Sequence, residues 1–255
     1  MTKLLINILF ALNKIKNVIF PPVCSFCGTE TEDYYAICPR CWLSLRFINR
    51  NICRICGCLL KRSEQEDKTS PSAQCCSECS KLRNSSDITV LASIVYDDFS
   101  KQFILRLKDK NEPHFALVFA KFFHEHDFDG IDYIVPVPIH SRRLLTRTYN
   151  QSALLALGIK CWYPKCPEVN LHVLIRNRYT PKQKGKDTVE RAKNVQDCIS
   201  VPSRMRNLVK GKRIAVVDDV AASGATLAEC KKALEQAGAL EVRCIALAKT
   251  ARAGA

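Results

Sequence analysis

One stretch, residues 214–226, constrains this chain more than any other feature of its sequence. It reads IAVVDDVAASGAT, and its apolar start, 214–217, is typical of a buried parallel strand. Asp218 and Asp219 follow at once, and carboxylates at a strand end can accept hydrogen bonds from vicinal sugar hydroxyls. The turn of Ala, Ser, Gly and Thr precedes a helical pattern, so backbone N–H groups and a helix N-terminus can approach a phosphate. The stretch therefore predicts a ribose-phosphate site.

The rest of the C-terminal two thirds alternates between strand and helix patterns. Short apolar runs are separated by segments in which apolar residues recur at helical spacing. This alternation predicts an α/β fold over residues 87–255, in which a doubly wound, mostly parallel sheet carries helices on both faces. We expect strands at 88–96, 131–137, 214–217 and 242–246, and helices at 103–108, 115–124, 142–157 and 227–237.

The N-terminal third is rich in cysteine, and eight of these residues form four C-x2-C pairs. Each pair makes a knuckle that offers two thiolates to one ion, and two knuckles complete a tetrahedral zinc site. We therefore predict a zinc-ribbon domain at 21–86 that uses one unit twice and holds two structural Zn²⁺ ions. Sequential pairing is the default and cross-braced pairing the alternative. We interpret Cys58 and Cys75 as spare thiols, although Cys75 could replace Cys76. The eight predicted ligands are Cys24, Cys27, Cys38, Cys41, Cys53, Cys56, Cys76 and Cys79.

The N-terminal segment and the net charge indicate where the protein is located and which partners it binds. Segment 1–20 lacks a convincing secretory signal and its apolar run is too short to span a bilayer, so we expect a cytoplasmic protein with reduced cysteines. The same segment predicts an amphipathic helix, which either packs on a neighbouring domain or attaches peripherally to the inner membrane. A formal charge of +14 favours polyanionic partners. Neither a G-x-G-x-x-G nor a Walker string is present, which argues against those nucleotide sites.

The string at 214–226 resembles the PRPP-binding motif of type I phosphoribosyltransferases (PRPP is 5-phosphoribosyl 1-pyrophosphate). Other strings narrow the resemblance: V-P-V-P after the second strand, R-T-Y-N-Q at 147–151, T-x-x-Q…R-x-x-N at 180–194, and the cysteine pairs. Together they are similar to the ComF family of competence-associated phosphoribosyltransferase-like proteins, over about residues 22–248. That family has R-G-[FY]-N-Q where this chain has Thr148, a modest departure on a segment that we expect to be helical.

The resemblance implies roles for particular residues. Asp218 and Asp219 would hold the ribose hydroxyls, and Mg²⁺ would be held mainly by oxygens of PRPP. Ile139, His140 and Ser141 would form a pyrophosphate loop. The turn that follows the carboxylates would hold the 5′-phosphate through Val220, Ala221, Ala222, Ser223, Gly224, Ala225 and Thr226.

A basic segment, 176–213, holds twelve Lys or Arg and three Asp or Glu. In the family it corresponds to a loop that closes over PRPP. Lys182, Lys184 and Arg191 would then neutralise departing pyrophosphate and join the two aspartates as catalytic residues. A solvated basic loop and a track for single-stranded DNA phosphates are the alternatives. The remaining family positions are Lys108, Arg147, Asn150, Gln151, Thr180, Gln183 and Asn194.

Two functional hypotheses stay open. In the first, the chain is a phosphoribosyltransferase that transfers the phosphoribosyl group of Mg–PRPP to an unknown acceptor, and it acts in DNA uptake with single-stranded DNA as partner. In the second, it is a non-catalytic, zinc-dependent DNA-binding or adaptor protein whose PRPP site is a sensor. Ala222 keeps the second hypothesis open, because the usual PRPP-binding motif has a hydroxyl residue there. The sequence does not predict an oligomeric state.

Overall fold

The computed structural model describes residues 17–18, 20–48, 52–53, 56–59, 88–178 and 196–250. The chain divides into two compact units, Met1–Leu45 and Arg46–Ala255. The predicted boundaries at 20/21 and 86/87 stay predictions. Apart from residues 17, 18 and 20, the expected N-terminal helix lies outside the described residues. Within the described residues, no helix combines the length and apolar composition needed to cross a bilayer.

A five-stranded sheet forms the centre of the second unit. Its strand order is β1-β7-β6-β2-β3, and every neighbouring pair is parallel. This confirms the predicted α/β class. The long central strands are buried along most of their length, as the apolar runs of the sequence predict. Their bounds are β1 Val90–Tyr96, β2 Tyr133–Pro136, β3 Glu168–Val169, β6 Arg213–Ala221 and β7 Glu241–Thr250.

Helices cover both faces of the sheet. On one face, Leu227 and Leu234 of α7 pack in a cluster with Ile214 and Val216 of β6. Because side chains alternate along a strand, Ala215 and Val217 point to the other face, where α5 packs on β6. The helices of this unit are α2 Asp98–Asp109, α3 His114–Ala120, α4 Ser141–Arg147, α5 Gln151–Trp162, α6 Arg206–Val209 and α7 Ala225–Gln236, with 3₁₀ turns at Glu125–Phe128 and Ser203–Met205.

The single helix predicted over 142–157 is wrong. The chain forms α4 and α5 there, separated by a non-helical break at 148–150. Thr148 has a φ of 61°, the left-handed conformation that commonly ends a helix and that glycine adopts most easily. Asn150 caps α5, since its side chain accepts a hydrogen bond from Ser152 N at 3.1 Å. The glycine of the family string is thus explained, because this position ends a helix in the left-handed conformation. Thr148 is therefore a larger departure from the family string than the sequence suggested.

Two smaller pairings complete the second unit. Residues 46–48 run antiparallel to the outer edge of β1, with hydrogen bonds from Val95 N to Arg46 O (2.8 Å) and from Ile48 N to Ser93 O (2.9 Å). They cover part of an edge that would otherwise expose unpaired backbone groups. A separate antiparallel ribbon joins β4, Ile175–Arg176, to β5, Ile199–Ser200. This ribbon pairs the start of the basic segment with residues 199–200 inside it, and residues 179–195 between the two strands lie outside the described part of the chain.

Candidate functional site

The two aspartates of the opening motif lie near the carboxyl end of β6, beside the carboxyl end of β2. Asp219 is buried and Asp218 is partly buried. Each carboxylate is fixed by a backbone donor: Asp218 Oδ1 accepts from Asp219 N at 2.9 Å, and Asp219 Oδ1 accepts from Val220 N at 2.7 Å. Ser152 Oγ also donates to Asp218 Oδ1, at 2.9 Å. The carboxylates are therefore held in one orientation before any ligand arrives.

Lys108, in the last turn of α2, is the counter-ion of this pair. Its Nζ lies 3.0 Å from Asp219 Oδ1 and 2.9 Å from Asp219 Oδ2. Burial disfavours the ammonium form, but the charges of Asp219 and then Asp218 outweigh it and raise the pKa of Lys108. Burial, and then the neighbouring charge of Asp219, raise the pKa of Asp218 to about 7, against the opposing effect of Lys108. The site thus combines a permanent cation with a carboxyl group that titrates near neutral pH.

The turn after β6 has the geometry expected of an anion-binding loop. Gly224 has a φ of 79°, and α7 begins at the next residue. Ser223 Oγ accepts a long hydrogen bond from Ala225 N at 3.4 Å, and Ala222 O accepts from Thr250 Oγ1 at 3.2 Å. A turn of small residues ahead of a twelve-residue helix leaves backbone N–H groups accessible to a phosphate.

A pocket of about 160 Å³ lies between the ends of β2 and β6. Ile139 of the predicted pyrophosphate loop lines it, whereas His140 and Ser141 are not among its lining residues. His140 instead caps α4, because its Nδ1 accepts a hydrogen bond from Arg142 N at 3.2 Å. The lining residues are Lys108, Val137, Pro138, Ile139, Arg143, Arg147, Asn150, Gln151, Ser152, Arg176, Asp218, Asp219, Val220 and Thr226.

Four family positions meet around this pocket: Lys108, Arg147, Asn150 and Gln151. Asn150 Nδ2 donates to Val137 O at 3.0 Å, which ties the break between α4 and α5 to the end of β2. The family positions Thr180, Gln183 and Asn194, and the predicted catalytic residues Lys182, Lys184 and Arg191, lie outside the described residues.

Five lining residues were not predicted as site residues: the apolar Val137 and Pro138, and the polar or charged Arg143, Ser152 and Arg176. Ser152 follows directly on Asn150 and Gln151 and faces β6, so its place after the family string was an available signal. Arg143 belongs to the basic start of α4, but helical spacing alone does not show which of its cations faces the pocket. Arg176 comes from the β4–β5 ribbon, whose two-residue strands are too short for periodicity to reveal.

The first cysteine cluster has the donor set of a structural zinc site. The sulfur atoms of Cys24, Cys27, Cys38 and Cys41 all lie within 4.8 Å of one another. Cys27 Sγ and Cys38 Sγ are 3.6 Å apart, close to the roughly 3.8 Å edge of a tetrahedron with 2.3 Å Zn–S bonds. The second pair reaches the cluster at the start of α1, Pro39–Leu43. The sequential pairing of these two knuckles is therefore the one that the structure contains.

The second cluster brings together Cys53, Cys56 and Cys58 within 4.8 Å. Cys58, interpreted from the sequence as a spare thiol, is thus part of this cluster. The other predicted members, Cys76 and Cys79, and the possible substitute Cys75, lie outside the described residues. Of the five remaining cysteines, expected to be buried, Cys166, Cys198, Cys230 and Cys244 are buried and Cys161 is exposed.

Comparisons with known proteins match both the cysteine-rich region and the α/β region. Residues 112–254 match the phosphoribosyl transferase domain, and residues 15–80 match the double zinc ribbon domain. Competence protein F of Haemophilus influenzae is 29% identical over 185 residues, which cover 69% of this chain and 79% of that protein. DNA utilization protein YhgH of Escherichia coli K12 is 32% identical over 119 residues, which cover 47% of this chain and 50% of that protein. A solved structure, glutamine PRPP amidotransferase from B. subtilis, has a TM-score of 0.33 and 20% identity, over 55% of this chain and 29% of that one.

Proposed function

Because this chain belongs to the phosphoribosyl transferase domain family and carries a double zinc ribbon ahead of that domain, we propose that it binds PRPP at the carboxyl end of β6. The combination confirms the resemblance to the ComF family predicted from the sequence. One observation carries the proposal: an oriented carboxylate pair and a lysine line one pocket together with Val220 and Thr226, the two ends of the left-handed glycine turn, whose residues 221–225 are not among the lining residues.

The geometry supports separate binding roles for the residues of the pocket. Asp218 and Asp219 accept hydrogen bonds from the ribose hydroxyls, and the turn before α7 donates backbone N–H groups to the 5′-phosphate. The cations of the lining, Arg143 and Arg176 among them, attract the pyrophosphate. The cavity of about 160 Å³ holds the ribose and its nearest phosphates, and the rest of a larger ligand would extend out of it.

Carboxylate oxygens suit Mg²⁺, which prefers hard oxygen ligands. However, both oxygens of Asp219 are engaged by Lys108, and Asp218 Oδ1 is engaged by Ser152 and a backbone amide. The ion would therefore be held mainly by the ribose and pyrophosphate oxygens of PRPP, where it would neutralise charge on the leaving group.

Calorimetric titration with PRPP in the presence of Mg²⁺ tests the site. Asp219→Asn keeps the shape of the side chain and removes its charge, so we expect affinity to fall by roughly 10- to 100-fold, as for a lost hydrogen bond to a charged group. Asp132→Asn is the matched control, because Asp132 contacts Arg213 N at the opposite end of β6. The proposal fails if the unaltered protein shows no heat of binding, or if both variants bind equally well.

We place this activity in DNA uptake, since one relative is named a competence protein and another a DNA utilization protein. The net charge of +14 supports single-stranded DNA as a partner. Binding to a labelled single strand should then weaken steeply as salt rises, and salt-independent binding would contradict recognition through phosphates.

A non-catalytic sensor is the second candidate, and Ala222 favours it because one side-chain donor to the phosphate is missing. Pyrophosphate release separates the two candidates. An enzyme releases pyrophosphate from PRPP faster when its acceptor is present, with single-stranded DNA as the first acceptor to try. A sensor binds PRPP without that release.

A further inference from the structure

We propose that Lys108 sets the charge and orientation of the Asp218–Asp219 pair, and that residues 147–151 position Lys108 for this role. The ion pair is the first observation. Lys108 Nζ contacts both oxygens of Asp219, and the two side chains are 26% and 7% exposed. Adjacent carboxylates in a partly buried site tend to share one proton, and a protonated carboxyl loses capacity to accept from a sugar hydroxyl. A fixed cation counteracts this tendency.

Positioning is needed because lysine is a flexible side chain that carries substantial rotamer entropy. Lys108 stands in the last turn of α2, where carbonyl groups have no partner within the helix. The adjacent carbonyls of Leu107 and Lys108 accept from Tyr149 Oη (2.6 Å) and Gln151 Nε2 (3.3 Å). Arg147 Nη2 donates to the Asp109 side chain at 3.0 Å. Three consecutive residues at the helix end are thus held by one short segment.

The non-helical break between α4 and α5 makes these three contacts possible. Thr148 is left-handed and Asn150 is extended, and with this backbone the side chains at positions 147, 149 and 151 all reach the end of α2. A continuous helix would have placed position 149 on the opposite face from positions 147 and 151. The left-handed Thr148 therefore helps residues 147–151 to make the contacts that direct Lys108 toward Asp219.

The alternative is that residues 147–151 only hold α2 on the domain, with no effect on the charge of the aspartates. A pH profile separates the two roles. In the described residues, the charged and titratable groups around Lys108, Asp218 and Asp219 are Tyr96 of β1, Asp109 of α2, Arg143 and Arg147 of α4, Arg176 of β4, Cys230 of α7 and Cys244 of β7.

Between pH 7 and pH 9 the arginines stay charged, and burial raises the pKa of Tyr96, Cys230 and Cys244. The carboxyl of Asp218 then titrates closest to this range. Because its pKa is raised on folding, the folded state loses stability as pH rises from about 4 to about 7, and the loss levels off above that. Lys108 opposes the raised pKa, so its removal extends the loss of stability above pH 7.

The first experiment needs no ligand. Urea unfolding of Lys108→Met and Lys108→Arg is followed from pH 6 to pH 9 by Trp162 fluorescence in a Trp42→Phe background, since Trp42 lies in the other unit. We expect the unfolding constant of Lys108→Met, relative to Lys108→Arg, to rise above pH 7 by up to about tenfold per pH unit. Lys232→Met is the matched control, because it removes an exposed ion pair with Asp197. Parallel profiles for all three variants would overturn the proposal.

The second experiment tests positioning. Tyr149→Phe removes the hydrogen bond to Leu107 O. It should cause a smaller loss of folding stability with the same pH dependence as Lys108→Met, and this loss should disappear when Lys108 is itself replaced. Tyr163→Phe is its control, because it removes a similar hydrogen bond to Lys121 O. If Tyr149→Phe and Tyr163→Phe lower stability equally at every pH, or if Tyr149→Phe acts undiminished in Lys108→Met, residues 147–151 do not position Lys108.

A third experiment rests on the proposed function. PRPP and ribose 5-phosphate are titrated against pH, and Lys108→Met should move the rise in affinity to higher pH while Lys108→Arg restores it. If the unaltered protein binds neither compound, the proposed function fails, and the unfolding profiles still decide the role of Lys108. If it binds and Lys108→Met leaves the pH dependence of binding unchanged, the role of Lys108 is wrong and the proposed function stands.

Discussion

The knuckles at Cys24–Cys27 and Cys53–Cys56 have the same backbone hydrogen bonds but differ in the residues that surround them. In each, the first cysteine N–H bonds to the residue five positions on, and the glycine N–H bonds back to the first cysteine. The glycines, Gly28 and Gly57, have φ values of 78° and 74°. This supports the prediction of one unit used twice.

The difference lies around the two glycines. A side chain at Gly28 would meet no heavy atom of the described chain within 4 Å, whereas a Cβ at Gly57 would overlap the carbonyl oxygen of Val90 in β1. The first knuckle is a local structure, and the second is packed on the sheet. A C-x2-C-G string therefore determines the local backbone of a knuckle. The residues around the knuckle determine whether it also packs on the rest of the domain.

The largest expected effect comes from removing a ligand. Cys24→Ser and Cys53→Ser should each release about one zinc, because structural zinc sites contribute on the order of 10 kcal/mol to folding. Cys53→Ser should also speed amide hydrogen exchange in β1 more than Cys24→Ser does, since the second knuckle packs on Val90. Zinc content by mass spectrometry and exchange in β1 measure the two effects, with the exposed Cys161→Ser as control. Equal exchange in both variants would show that the packing difference has no energetic consequence.

A smaller difference is expected when the glycines are replaced. Gly28→Ala should cost about 1 to 2 kcal/mol, the penalty of a left-handed alanine. Gly57→Ala should cost about 3 kcal/mol or more, because a backbone overlap adds to the same penalty. Chemical unfolding at fixed zinc concentration compares them. A Gly57→Ala variant no less stable than Gly28→Ala would contradict the close packing against Val90.

The residue after each glycine sharpens the comparison further. Thr29 Oγ1 lies 3.2 Å from Cys27 Sγ, and Cys58 holds the equivalent place in the second knuckle. Cys58→Thr should therefore retain zinc with about tenfold weaker affinity, as expected when a neighbour of the ligands is altered. Competition with a chromogenic chelator measures this, and complete loss of one zinc would identify Cys58 as a ligand.

The smallest effect extends the comparison to a third left-handed position. Thr148 has the same handedness as Gly28 and Gly57 but carries a β-branched side chain. Thr148→Gly should raise the free energy of unfolding by about 1 kcal/mol, because it removes the strain of the left-handed threonine and leaves the contacts at 147, 149 and 151 in place. Thermal unfolding checks the sign. A destabilised Thr148→Gly would mean that the hydrogen bond from Thr148 Oγ1 to Arg147 O outweighs the strain.

Features set by neighbouring residues were predictable from the sequence. The knuckle at Cys24, the Asp218–Asp219 pair and the central strands each follow from a short string with one physical interpretation. Features set by distant contacts were not. Lys108 and Asp219 are 111 positions apart, so local patterning cannot show that they pair. The break at 148–150 was missed because apolar spacing continues across it. The Asn150 side chain accepts a hydrogen bond from Ser152 N and donates one to Val137 O, and these bonds make the turn more favourable than a helix.

The position of β7 between β1 and β6 has a consequence for synthesis of the chain. Among the described strands, the parallel neighbour of β1 is β7 and none of the strands made in between, since Val90 is aligned with Cys244. A growing chain must therefore carry β1 without its parallel neighbour until about 150 more residues have left the ribosome, and such long-range pairing is slow to form. During that interval, the antiparallel contact with residues 46–48 is already available to shield one edge of β1 from other nascent chains.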